Sequence, residues 1–245
     1  MSIETLFTVP NLLALLIVLA GAFIRGYSGF GSGLIMVPLL ALIWGPIDAI
    51  VFTLSLGLLA TAQMTLPATK IANWRDITPI IIAAVVVTPL GTVILVHLDG
   101  EVVKKIIAGL VLAVTVVSLS GWTYKGPRGI LPSAIFGSIS SFVNGVAAVG
   151  GPAYVTYLIS LPEKPDVQRA NMAILTGVMG ISVLTYPLIA GDVSRDTIFR
   201  VLIFALPYVA GVWGGTKLFE VLPDDTFRRA ILWFLLFICF AILIS

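Results

Sequence analysis

The sequence predicts an all-α polytopic membrane protein. It is read as two inverted repeats, each a broken (re-entrant) helix pair plus three transmembrane helices, giving about eight to ten membrane segments. Three observations predict this. The 245-residue chain is 59% hydrophobic and only 11% charged, with a mean hydropathy of +1.11, far more apolar than a soluble domain. Apolar runs recur along its whole length, so hydrocarbon is its solvent. Two of these runs are broken by small residues, at Arg25-Gly26-Tyr27-Ser28-Gly29-Phe30-Gly31-Ser32-Gly33 and at Asn144-Gly145-Val146-Ala147-Ala148-Val149-Gly150-Gly151-Pro152.

Each element follows from the pattern. Leu12–Leu42 is apolar on both sides of the first break. One helix over that stretch would be roughly 46 Å long, against a hydrocarbon core of about 30 Å. Each half alone reads as too short to cross, so two half-helices meeting at a glycine turn fit better. Spans follow at Pro46–Leu66, Ile77–Val96 and Val102–Ser120, with loops at Pro67–Asp76 and His97–Glu101. After a polar link at Gly121–Gly129 the pattern restarts. Ile130–Gly145 and Gly151–Ser160 flank the second break, and spans follow at Ala170–Ala190, Val201–Phe219 and Ala230–Ile244. The charged stretches Leu161–Arg169, Gly191–Arg200 and Glu220–Arg229 read as loops. Residues 1–121 and 129–245 thus form two repeats within one integral-membrane domain. Gly91-Thr92 precedes Lys104-Lys105 at the spacing by which Gly215-Thr216 precedes Arg228-Arg229, and Gly31-Ser32-Gly33-Leu34 aligns with Val149-Gly150-Gly151-Pro152. Duplicated halves, each with an interrupted helix, are the pattern of secondary transporters.

Loop charges set the orientation. If each broken segment returns to its own side, one side collects Lys70, Arg75, Lys125, Arg128, Lys164, Arg169, Arg228 and Arg229, and the other only Lys104, Lys105, Arg195 and Arg200. If each break crosses once, the same residues divide evenly. The biased arrangement is preferred. It puts both termini outside and makes the repeats inverted.

The breaks carry the chemistry. A half-helix that begins inside a membrane offers unpaired N–H groups and a positive dipole end, which together attract anions. Gly31, Gly33, Gly150 and Gly151 let backbone approach a ligand, and Pro152 suits a first helical turn. Ser32 adds a hydroxyl and Asn144 an amide. Arg25 adds a permanent charge with a planar donor fork suited to an oxyanion. The plainer alternatives are close helix packing for the glycines and snorkelling to an interface for Arg25. Asn171 and Thr176 follow the second break and are the next candidates, and Tyr27 and Tyr154 flank the two breaks. Thr53, Ser55 and Gln63 read as interhelical glue. No acidic residue falls near the middle of a span, so a carboxylate proton relay is not expected. A net charge of +2 without a basic stripe excludes nucleic acid. One cysteine, Cys239, excludes an internal disulfide. Met1–Pro10 lacks a basic n-region, and no cleavable signal peptide is expected.

Gly26-Tyr27-Ser28-Gly29 is similar to the Gly-x-Ser-Gly pattern of rhomboid intramembrane proteases, with Ser28 as nucleophile. Such an enzyme needs a histidine base in reach, and His97 reads as lying at the membrane surface. The two breaks, the repeat spacing and the late Gly-Thr elements resemble the TauE/SafE family of sulfite and organosulfonate transporters over nearly the whole chain. Its first motif matches Gly29, Gly31, Gly33 and Pro38, and its second matches Gly145, Gly150, Gly151 and Pro152. Ser32 stands where relatives commonly carry glycine, and Arg169-Ala170-Asn171 resembles the stretch that opens the next span. The resemblance implies a multi-pass protein of the bacterial inner membrane. It implies export, or sometimes uptake, of sulfite, sulfoacetate or other organosulfonates, with no cofactor and no metal. The residues by themselves reach a small oxyanion bound by Arg25, Tyr27, Ser28, Gly31, Ser32, Gly33, Asn144, Gly150, Gly151, Asn171 and Thr176. An anion channel with the same site stays open beside the carrier. The expected partners are a small-molecule anion and the lipid bilayer, with a homodimer possible.

Overall fold

A computed structural model describes residues 9–28, 30–190 and 193–221, together with 233, 236 and 240. The described residues form helices and the turns between them. In order these are α1 (Val9–Ser28), α2 (Ser32–Trp44), α3 (Pro46–Ile71), α4 (Trp74–His97), α5 (Gly100–Leu119), α6 (Ile130–Ala147), α7 (Gly151–Ile159), α8 (Pro165–Ala190) and α9 (Arg195–Val221). The span expected at Ala230–Ile244, with Cys239, falls almost wholly outside the described residues, as do Arg228 and Arg229. Among the described residues five helices, α1, α4, α6, α8 and α9, are long and apolar enough to cross a membrane. Their outer faces are apolar, with Ile189 82% and Leu206 78% exposed, whereas Arg25 is 2% exposed. Such a distribution suits a hydrocarbon solvent.

Several helices run further into the charged stretches than the apolar runs suggest. Lys70 belongs to the last turn of α3, and α8 and α9 begin at Pro165 and Arg195, inside segments that read as loops. Apolar pattern stops where the chain leaves hydrocarbon, but backbone hydrogen bonding continues. Asp166 and Asp196 in the first turns complement the helix dipoles, and Asn73 and Asp99 cap α4 and α5.

Both breaks are reversals. A Cβ on Gly21 of α1 would lie 2.5 Å from Met36 Cγ of α2, an approach that a continuing helix cannot make. Ser133 Oγ donates to Tyr157 Oη at 2.9 Å and Ser140 Oγ to the Gly150 carbonyl at 2.7 Å, so α7 runs back along α6. The legs are unequal, which corrects the expectation of two short halves. α1 has 20 residues and α6 has 18, against 13 in α2 and 9 in α7. At about 1.5 Å per residue the longer legs reach roughly 30 and 27 Å. The first apolar run ends at Ile24, yet α1 continues to Ser28 because Arg25 finds a partner inside the protein.

The two halves are interwoven. α1 packs chiefly on α9, α4 on α6, and α3 on α8. Glycines make the first two contacts close. Gly26 faces the Val212 carbonyl and Gly215 the Phe23 carbonyl, while Gly145 faces the Thr88 carbonyl and Gly91 the Phe142 carbonyl. These are one arrangement twice: Gly26 and Gly145 are 119 positions apart (145 − 26), and Gly91 and Gly215 are 124 apart (215 − 91). Residue order along the contacts makes α1 parallel to α9 and α4 parallel to α6. Thr61 meets Gly177 while Leu58 meets Gly180, which makes α3 and α8 antiparallel. The offset of 119 also holds for Pro46 and Pro165, which open α3 and α8, and for the N-cap glycines Gly31 and Gly150. Gly31 therefore corresponds to Gly150, one residue beyond the alignment read from the motifs.

Candidate functional site

The hairpin tips meet between α3 and α8. A Cβ on Gly33 would lie 2.5 Å from the Ala148 carbonyl oxygen, and one on Gly151 would lie 3.4 Å from the Phe30 ring. Beside this junction is a cavity of about 50 Å³. Arg25, Gly31, Ser32, Gly33, Asn144 and Gly151 line it from the tips, and Thr53, Gly57, Thr176 and Gly180 line it from the middle of α3 and α8. Thr53 and Gly57 are four apart, as are Thr176 and Gly180, which sets each pair on one helix face.

Arg25 is the charged group of the cavity. Its Nη2 donates to Thr61 Oγ1 at 2.7 Å, and that hydroxyl in turn donates to the Gly57 carbonyl at 2.9 Å. Its Nε is buried and has no hydrogen-bond partner among the described residues. The guanidinium is thus held at one corner and keeps donor capacity for a ligand. Buried Tyr154 and Tyr208 stand near enough to feel its charge.

Asn144 is 6% exposed and occupies the corresponding place in the second tip. Its Oδ1 accepts from Gly150 N–H at 3.3 Å, and its Nδ2 is buried without a partner. Ser140 Oγ accepts from Tyr154 N–H at 2.7 Å, so the first turn of α7 is partly capped from α6. Among the described residues no such side-chain cap is seen at α2, whose N-cap, Gly31, adopts the left-handed region at φ 94° that glycine suits. Ser32 is buried at the start of α2.

The remaining candidates divide. Thr176 lines the cavity, and its hydroxyl shares a 2.7 Å hydrogen bond with Tyr154 Oη. Gly150 stands behind the cavity against the Ser140 carbonyl. Tyr27 packs its backbone on Gly215 and does not line the cavity. Asn171 lies toward the start of α8, where its Oδ1 accepts from Asn73 N–H at 3.0 Å and ties α8 to the α3–α4 turn. The backbone of Ser28 ends α1, and its side chain lies outside the described residues, as does Gly29. The single histidine, His97, bonds the Val93 carbonyl at the exposed end of α4. No histidine therefore faces the first tip.

Sequence reasoning missed Thr61 and Tyr208, and it read as interhelical glue Thr53, whose hydroxyl lines the cavity without a partner among the described residues. For Thr61 a signal existed: Thr53, Gly57 and Thr61 recur every four residues in a span otherwise apolar. Nothing in the sequence marks Tyr208, which reaches the first tip through the packing of α9 on α1.

A family model described as Sulfite exporter TauE/SafE matches residues 13–242. No curated protein and no solved structure gives a match.

Proposed function

Because the chain belongs to the sulfite exporter TauE/SafE family, whose members are membrane transporters and not enzymes, we propose that it is a secondary carrier of a small sulfur oxyanion. The anion binds in the cavity between the hairpin tips, and the carrier works by alternating access, in the exporting direction. One observation carries the reading. A guanidinium 2% exposed, with an unspent N–H, faces a cavity where two broken helices meet. A charge at such depth is costly unless it has work to do. The cavity of about 50 Å³ suits a small anion, being far below the roughly 300–1,000 Å³ of pockets for drug-sized ligands.

The inverted-repeat arrangement is supported by direction. α3 and α8 correspond by their offset yet run antiparallel, and the glycine contacts recur with halves exchanged. Polar ties also come in two sets. Asn73, the cap of α4, binds Glu163 Oε1 at 2.6 Å and Asn171 Oδ1 at 3.0 Å near the start of α8. Ser194 and Thr197, at the start of α9, bind Asp48 Oδ1 near the start of α3 at 3.1 and 2.6 Å. Because α3 and α8 run antiparallel, these ties lie at opposite ends of the molecule. Breaking one while keeping the other is a way to open one side at a time.

The test is flux in proteoliposomes loaded with sulfite. A carrier accelerates labelled sulfite uptake when unlabelled sulfite is inside and saturates with concentration. Flux that neither saturates nor responds to the trans side is that of a channel, and no sulfite flux at all overturns the substrate.

A further inference from the structure

The wall of the cavity is electrically simple. Among the described residues Arg25 is its one charged side chain, and no aspartate, glutamate or histidine lines it. The titratable groups in the wall are Arg25 from α1 and Tyr154 from α7, while Tyr208 from α9 stands near Arg25 outside the lining. Arg169 of α8 stands outside the wall, where it donates to the Gly26 carbonyl at 3.0 Å.

Helix ends add little net charge. Each tip sets the carboxyl end of one helix, α1 or α6, beside the amino end of the next, α2 or α7. Their partial charges, about −0.5 and +0.5, oppose each other over a short distance. An ion entering the cavity therefore meets close to one buried positive charge.

We infer that the site selects by net charge: it takes small monoanions and rejects dianions and zwitterions of similar size. Hydrogensulfite or a small sulfonate fits, whereas the sulfite dianion, sulfate and an aminosulfonate do not. This rests on the carrier reading above. A monoanion and Arg25 form a neutral pair. A dianion leaves one negative charge uncompensated in a medium that screens poorly, the situation that makes unpaired buried charge so unfavourable. A zwitterion brings an ammonium group for which the wall holds no carboxylate. The uncharged donors agree. Arg25 Nε, Asn144 Nδ2 and Thr53 Oγ1 are buried without partners among the described residues, and the Thr53 hydroxyl can also accept from a protonated anion.

Calorimetry on the purified full chain tests this with two ions of nearly equal size, methanesulfonate as monoanion and sulfate as dianion, beside sulfite titrated across neutral pH. Methanesulfonate is expected to bind with an affinity independent of pH, and sulfate at least about tenfold more weakly. Sulfite should lose about tenfold in apparent affinity for each pH unit above the point, near neutrality, where hydrogensulfite gives up its proton. Sulfate binding as tightly as methanesulfonate, or sulfite tightening as pH rises, overturns charge selection while leaving the anion site intact. Failure of all three ions at every pH overturns the anion site and the selectivity with it.

Discussion

Arg25 and Asn144 stand at matching positions, each immediately before the glycine, Gly26 or Gly145, that seats its helix against a helix of the other half. The scaffold repeats at this point and the chemistry does not. One tip offers a charge and the other an amide, so a ligand bound between them as proposed would meet a guanidinium on one side and a neutral donor on the other.

Replacing Arg25 with alanine removes the only cation of the cavity wall among the described residues. Anion affinity should fall by about a hundredfold or more, the scale of losing charge-assisted hydrogen bonds in a buried site. Arg25→Lys should recover little, because the planar fork is lost. Normal affinity in Arg25→Ala, read by calorimetry, would take the arginine out of the mechanism.

Thr61→Val keeps the shape of the side chain and removes the acceptor for Arg25 Nη2. The guanidinium is then free to rotate and its buried N–H is unsatisfied. We expect affinity to drop by about tenfold and thermal stability to fall by about 1–3 kcal/mol. An unchanged dissociation constant would mean that Thr61 does not orient Arg25.

Two cavity glycines should behave differently. A Cβ on Gly33 would strike the Ala148 carbonyl at 2.5 Å, whereas one on Gly151 meets nothing nearer than 3.4 Å. Gly33→Ala should therefore destabilise the junction by about 1–3 kcal/mol. Gly151→Ala should stay folded and impair transport by filling the cavity. Thermal melts beside liposome uptake separate the two, and a Gly151→Ala carrier with wild-type flux would show that this wall does not touch the anion.

Topology is open to labelling in a Cys239→Ser background. Cysteines at Lys125 and Lys164 should react only from the cytoplasm, and one at Arg195 only from outside. If positions 125 and 164 label from opposite sides, the second broken segment crosses the membrane and the repeats are not inverted.

Much of this was legible in the sequence, and the limits have physical causes. The two breaks are visible because glycine, serine, asparagine and arginine interrupt hydrocarbon-like runs, a local property. The length of α1 was hidden because helical hydrogen bonding continues past the last apolar residue when a polar side chain finds a partner within the protein, as Arg25 does in Thr61. The pairing itself is tertiary: nothing near Arg25 in sequence announces a threonine 36 residues later. Asn171 looked close to the second break along the chain, yet the 9-residue α7 and the turn after it carry the chain away from the cavity before Asn171 is reached. The alignment of the breaks slipped by one residue because glycine-rich motifs match at several registers, while contacts match at one.

The exchange of partners, α1 with α9 and α4 with α6, sets the order of assembly during synthesis. α1 is the first described helix to leave the ribosome, and the helix it leans on is the last one described. In the interval Gly26 has no neighbour to pack against, and Arg25 waits in the bilayer until the segment bearing Thr61 has been inserted. α4 waits less, because α6 follows it after a single intervening helix. The first hairpin is therefore inserted early and secured late. A nascent chain halted before Arg195–Val221 would present lipid with an unclasped glycine face beside its arginine, a surface that the finished protein covers with α9.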